Sequence, residues 1–305
     1  MSHPRSTRST LCLWALTASL AGCSTRPTEP IKSKPSSVIM DPKQDQLIKK
    51  IGLDTLPSGS AEKGVQAPWT KDFVAAALQA GGVAGPSLLT ETTSPMAPGE
   101  AWRKWIWSTT RSPNARLLVN VYVSSTGPAI ARARLIKSTT ETMLSDVPDV
   151  AGPADLGDAS AFFDGPPSFA RIAWVFQNVC VTVSKQDDTD SNVLTIAHAM
   201  QTALAQHVVD PLTPAIPKVD RVDLSAAEVR VNEPLTVRIR MGGADPQRRF
   251  LVSLSAPPED VRVRDASLNL QLTADNPGNK ALTILIVDAS TLLSTTAQAT
   301  MIVKR

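Results

Sequence analysis

Apolar residues recur along the chain with two periods, and the place where one gives way to the other divides it. Between about 65 and 210 both occur. Phe73, Val74, Ala77 and Leu78 share a face at helical spacing, with Thr70 as N-cap, Asp72 in the first turn and Gly81-Gly82 as the stop, which predicts a helix over Thr70 to Gln79. Trp102 to Ser108 and Arg116 to Ser124 alternate with period two. In the second of these, Leu117, Val119, Val121 and Val123 fall on one side. Residues 128–138 admit two readings: a helix with Pro128 at its first position, or a strand paired with Arg116–Ser124 across the turn at 125–128. The helix is the favoured one. Ser160 to Phe163, Ala170 to Phe176 and Val179 to Ser184 predict three more strands, the last two joined at Gln177-Asn178. Asn192 to His207 is the clearest helix, with Val193, Ile196, Ala197, Met200, Ala203 and Leu204 on one face. The expected architecture is α+β, an antiparallel sheet with helices packed on one side.

Beyond Pro211, Pro214 and Pro217 the helical period disappears. Runs at Arg221–Leu224, Glu228–Val231, Leu235–Met241, Phe250–Ser255, Val261–Val263, Leu268–Thr273, Ala281–Val287 and Ala297–Val303 alternate between turn residues, which predicts an all-β sandwich. The prolines predict a stiff connector over 211–217, between an α+β domain at 65–210 and the sandwich at 218–305. Ahead of both, 23–64 is rich in Pro, Ser, Thr and Lys and reads as a tether, with one short helical piece at Gln44 to Ile51.

The first ten residues carry Arg5 and Arg8 and no acid, and the apolar run Leu11 to Leu20 is too short to span a bilayer. Leu20-Ala21-Gly22-Cys23 follows, and it resembles the lipobox of bacterial lipoproteins. The resemblance implies that residues 1–22 are a signal peptide removed before Cys23, that the Cys23 sulfur takes a diacylglycerol, and that the new amino group is acylated. Two or more acyl chains make a stable membrane anchor where one is marginal. Ser24, rather than Asp, after the cysteine resembles the sorting pattern for the outer membrane, where the source has two membranes. The C-terminal runs resemble the immunoglobulin-like and cadherin-like modules of bacterial surface proteins, without the Cys and Trp of antibody-type domains.

Composition changes the picture in three ways. The chain has 31 Lys plus Arg against 28 Asp plus Glu; with Arg5 and Arg8 removed the balance is near neutral, and no segment concentrates one sign, so a nucleic-acid partner is not expected. The three cysteines reduce to one, because Cys12 leaves with the signal and Cys23 is consumed by lipid. Cys180 then has no disulfide partner. Five of the six tryptophans precede residue 110 and none lies in the sandwich, so indole side chains are available to the first domain alone.

Candidate chemistry is sparse. His198 and His207 are nine residues apart on one helix, about 180° around it, and cannot share a metal. The run Asp187 to Asn192 begins like a calcium loop, but Val193 stands where glycine is needed and Ala199 where a bidentate glutamate is needed. It reads instead as a helix cap through Asp190 or Ser191. Asp275, Asn276, Asn279 and Asp288 read as turn chemistry. Cys180 shares a strand face with Thr182 and Ser184, opposite three valines, and reads as a packed thiol. No nucleophile elbow, phosphate loop or zinc motif is present, so neither a catalytic residue nor a cofactor is expected. Trp102, Trp105 and Trp107 are the candidate ligand platforms, Trp105 and Trp107 on one side of their strand and Trp102 on the other. Core packing is the competing role for them. The acidic stretch Asp146 to Asp164 reads as an exposed loop. These observations predict a lipid-anchored, non-catalytic envelope protein that meets a protein or the cell wall. The alternatives are a ligand-binding lipoprotein using the Trp-bearing domain, and a hydrolase whose site spacing does not reveal.

Overall fold

The computed structural model describes residues 42–54, 63–109, 114–140, 150–166, 168–188, 190–243 and 248–305. These lie in one compact unit. The lipobox and Cys23 fall outside the described residues, as do Asp146 and Asp149 of the acidic stretch. In chain order the first half carries α1 (Pro42–Lys50), β1 (Gly64–Val65), α2 (Lys71–Ala80), β2 (Ser87–Ala97), β3 (Glu100–Ser108), β4 (Arg116–Ser124), α3 (Pro128–Thr140), β5 (Val150–Ala151), β6 (Ala159–Asp164), β7 (Ala170–Phe176), β8 (Val179–Gln186), α4 (Val193–Ala205) and β9 (Val208–Val209). The second half carries β10 (Val219–Leu224), β11 (Glu228–Arg230), β12 (Leu235–Met241), β13 (Phe250–Ser255), β14 (Val261–Asp265), β15 (Asn269–Ala274), β16 (Gly278–Asp288) and β17 (Ser294–Lys304). The fold is mostly β with few helices, and its strand pairs are antiparallel apart from β11 with β17.

The first half is built on a seven-stranded sheet in the order β2-β3-β4-β8-β7-β6-β5. Strict alternation in β3 and β4 sends Trp105, Trp107, Leu117, Val119, Val121 and Val123 to one face. There they meet Val74 and Leu78 of α2 and Ile196, Met200 and Leu204 of α4. Thr70 caps α2 as expected, its hydroxyl accepting from the Phe73 amide at 3.2 Å. Gly81 ends that helix against the backbone of Ile196, where a Cβ would lie 2.6 Å from the Ile196 Cα, so only glycine lets α2 and α4 approach this closely. At the turn between β7 and β8, Asn178 is fully buried. Its side chain accepts from the Val65 amide at 2.7 Å and donates to the Ser124 carbonyl at 2.8 Å, tying β1 to the end of β4.

The helices are not confined to one side. Residues 128–140 are the helix α3, and its Ala131 and Leu135 pack on the opposite face, against Ala161, Ala173, Val175 and Cys180. The reason is visible in β7 and β8, whose residues 170–175 and 179–184 are buried on both faces. The expected tether also proves partly folded: α1 and the turn after it bring Ile51 and Leu53 onto this second face. The edge strand β2 was not anticipated, because its sequence is polar and contains Pro95. Two register shifts, at Leu88/Thr90 and Pro95/Ala97, interrupt its pairing with β3.

In the second half, sheets β10-β12-β15-β14 and β11-β17-β16-β13 face each other across a core of Val237, Ile239, Leu270, Leu272, Ile284 and Ile286. Four of the expected runs extend by a few residues and two match at both ends. The halves are joined by more than the chain. Val287, Leu292 and Leu293, at the β16–β17 turn, belong to the core of the first half, and Leu292 takes a left-handed φ of 60° to enter it. The Pro-bearing segment is packed too: Leu212 is fully buried in that same core.

Candidate binding surfaces

The structure separates the three candidate tryptophans. Trp105 is fully buried and Trp107 3% exposed, so both are core residues of the first half and neither presents a ring to solvent. Trp102 lies on the opposite face and remains partly exposed. Its ring is 6.3 Å from that of Tyr122, its cross-strand partner, with the planes tilted by 32°. Arg134 of α3 reaches the same place, 5.6 Å above the Tyr122 ring, and donates to Glu100 at 2.5 and 3.1 Å. Lys104, Ile106, Leu118 and Asn120 continue this half-open face. It combines one indole, one phenol ring and flanking polar groups on a partly exposed surface.

Nothing in the sequence pattern singles out Arg103, a charged side chain held in the interior of the first half. It is 6% exposed, points to the Trp105 side and lies 5.7 Å from that ring. Its guanidinium donates to the Trp69 carbonyl, to the Ala289 carbonyl at 2.6 Å and to the Thr93 hydroxyl at 2.6 Å, with Glu91 at 3.4 Å. Burial lowers its pKa, opposed by the charges of Glu91 and Asp288. The Ala289 contact belongs to the β16–β17 turn, where the Trp69 amide also donates to the Ser290 carbonyl at 2.6 Å. Asp288 organises that turn: it accepts from the Ser290 amide and hydroxyl at 2.7 Å each, from the Thr291 amide at 3.1 Å and from Arg248. Burial alone would raise its pKa, but these donors outweigh burial and hold the carboxyl below the usual range. The cluster is a structural joint, since the Arg103 guanidinium and the Trp69 amide both reach carbonyls of the β16–β17 turn.

The remaining candidates resolve by geometry. Cys180 is buried under α3, and burial pushes its thiol up to about 12, far from a thiolate nucleophile. His198 lies 4.0 Å from Asp155 on the surface, and His207 packs edge-on to Phe73 at 5.6 Å. Among the described residues no three His, Cys, Asp or Glu come together in a metal-binding group. The cap of α4 is Asn192, not Asp190 or Ser191: its side chain accepts from the Leu194 and Thr195 amides at 3.0 and 3.2 Å. Asp188 instead organises the loop before it, accepting from the Asp190 and Ser191 amides. A shallow depression of about 230 Å³ lies between Gly81–Ala84, Thr109 and 190–192. No helix among the described residues is long and apolar enough to cross a membrane.

Comparison with known proteins adds little to this geometry. No family model matches the chain, and no curated protein does. Among solved structures, it is similar to a SusE-like surface-located polysaccharide-binding protein of Bacteroides thetaiotaomicron, at 9% identity and a TM-score of 0.21. The likeness covers 72% of this chain and only 35% of that one.

Proposed function

We propose that the chain is an exported lipoprotein, acylated at Cys23, that holds a protein or cell-wall partner at the bacterial envelope and catalyses no reaction. Its first half is an α+β domain and its second an immunoglobulin-like sandwich. The placement is the outer membrane where the source has two. The observation that carries the binding role is that Arg103 and the turn residues Leu292 and Leu293 hold two β-rich halves as one body, which leaves the outer face of the β10-β12-β15-β14 sheet exposed. Supporting it, the Trp105 and Trp107 side of the main sheet is filled rather than hollow.

Two experiments test this reading. Replacing Cys23 by Ser should move the protein from the membrane to the soluble fraction; unchanged retention refutes lipidation. Crosslinking in the native envelope, followed by pull-down of the full chain, should capture a protein or cell-wall fragment reproducibly. Turnover of a substrate by the purified chain would refute the non-catalytic assignment. A second reading, ligand binding by the Trp-bearing domain, rests on Trp102 and Tyr122 alone. It predicts that Trp102→Ala abolishes binding without loss of fold.

A further inference from the structure

The two faces of the second half differ in chemistry. The outer side of sheet β11-β17-β16-β13 is turned to the first half, through Leu251 and Val287. The opposite sheet, β10-β12-β15-β14, buries Leu235, Val237, Ile239, Leu270 and Leu272, so strand alternation points the intervening residues outward. That outer face carries Arg221, Arg238, Arg240 and Arg262, all exposed, with Arg264 at a register shift of the edge strand β14. Gln271, Asn269 and one further acid, Asp265 opposite Gln271, lie among them.

The charges do not cancel. Arg221 and Arg240 stand directly opposite each other across β10 and β12, a like-charged pair that sheets ordinarily avoid. One carboxylate, Asp223, serves both: it contacts Arg221 and lies 3.3 Å from Arg240. Arg238, directly opposite Asp223, makes no ion pair among the described residues, nor does Arg264. Arg262 pairs with Asp275 at 2.7 Å, an exposed contact open to exchange. From the Arg221/Arg240 pair to Arg262 the arginines cross the sheet diagonally over on the order of 20 Å, from the strand rise and spacing.

We propose that this face binds an extended acidic polysaccharide, through carboxylate or sulfate groups spaced along it. Every cation on the face is arginine, whose planar guanidinium meets such oxyanions with two parallel hydrogen bonds. The outward positions of β12 and β15 carry Thr, Arg, Asn and Gln and no large apolar side chain. A protein interface would need a buried aromatic or aliphatic anchor there, and a membrane contact an apolar group to insert. A hydrated, linear polyanion needs neither. The inference deepens the envelope-binding reading by naming the partner's chemistry, and rests on that reading only for where the polymer is met.

The test uses the purified full chain in detergent, with polygalacturonate and heparin as probes, dextran as the neutral control, and polyaspartate and phosphatidylglycerol vesicles as competing anions. Binding to one or both acidic polysaccharides, falling steeply with salt and absent on dextran, is expected. Arg238→Gln with Arg240→Gln should weaken it about tenfold or more and reduce the salt slope by about two. Lys71→Gln with Arg305→Gln, the same charge change elsewhere, should leave it intact. A thermal melt of each variant confirms the fold. Equal binding to dextran, equal loss in both double variants, or tighter binding to polyaspartate or vesicles overturns the proposal. None of these outcomes touches Cys23 or its release from the membrane, so the anchor and the ligand fail separately.

Discussion

Replacing Arg103 by Met keeps the aliphatic stem and removes the group that joins the halves. The variant leaves the Trp69 and Ala289 carbonyls without their donor, in a place where Trp69 is fully buried and Arg103 itself 6% exposed. Stranding a buried polar group costs about 1–3 kcal/mol, and with two carbonyls stranded the cost is about 2–6 kcal/mol. Glu91 is half free to rehydrate, being at the protein edge with 36% of its side chain exposed, so its orphaned charge adds little. The expected loss is therefore about 2–6 kcal/mol, which in a chain of this size lowers the melting temperature by roughly 10 °C. Differential scanning calorimetry distinguishes this from a local defect. The wild-type chain should absorb heat in one transition, because Val287, Leu292 and Leu293 sit in the core of the other half. The Met variant should show two. Arg103→Lys should lie between them, since an ammonium cannot span three acceptors in one plane. A Met variant that melts within about 2 °C of wild type, in a single transition, would refute the joint.

Three further substitutions probe the charge and steric balance of the fold. The folded-state pKa of Asp288 lies below its unfolded value of about 4, so its contacts stabilise the fold above that pH and lose effect as the pH falls through the folded value. Asp288→Asn should therefore be clearly less stable than wild type at pH 7, with the gap narrowing below about pH 4 in urea titrations. A gap that stays constant with pH contradicts this account. Gly157 has a φ of +67°, and a Cβ there would overlap the Val175 carbonyl oxygen, whereas Gly82 has a φ of +88° and open space around it. Gly157→Ala should cost about 2 kcal/mol or more and Gly82→Ala about 1 kcal/mol. Equal losses by chemical denaturation would remove the steric contribution.

Elements with strong local signals were legible. Thr70 and Gly81 bracket α2, the alternating run 116–124 is β4, and the apolar stripe from Val193 to Leu204 is α4. The strand β2 was hidden because an edge strand has one open side and tolerates Thr, Glu and Pro there. The cap of α4 slipped by one or two residues, as Asp190, Ser191 and Asn192 have similar capping chemistry and only the path of the loop chooses among them. The candidate tryptophans divided as their alternation indicates, yet alternation does not say which side is covered.

That distinction runs through the whole molecule. Sequence by itself determined which side chains share a face: Trp105 with Trp107, Cys180 with Thr182, Arg238 with Arg240. Those relations follow from the two-residue period of a strand and need no partner. Only the tertiary structure decided which faces are buried. Arg103 is interior because a turn more than 180 residues later supplies a carbonyl for it, and α3 covers Cys180 because β7 and β8 are apolar on both sides. The arginines at 221, 238, 240 and 262, balanced by acids when counted along the chain, form a cationic face because the strand order β10-β12-β15-β14 and its register turn them to the same side of one sheet. Local periodicity is a property of backbone geometry, whereas coverage and charge sorting depend on contacts between residues far apart in the chain.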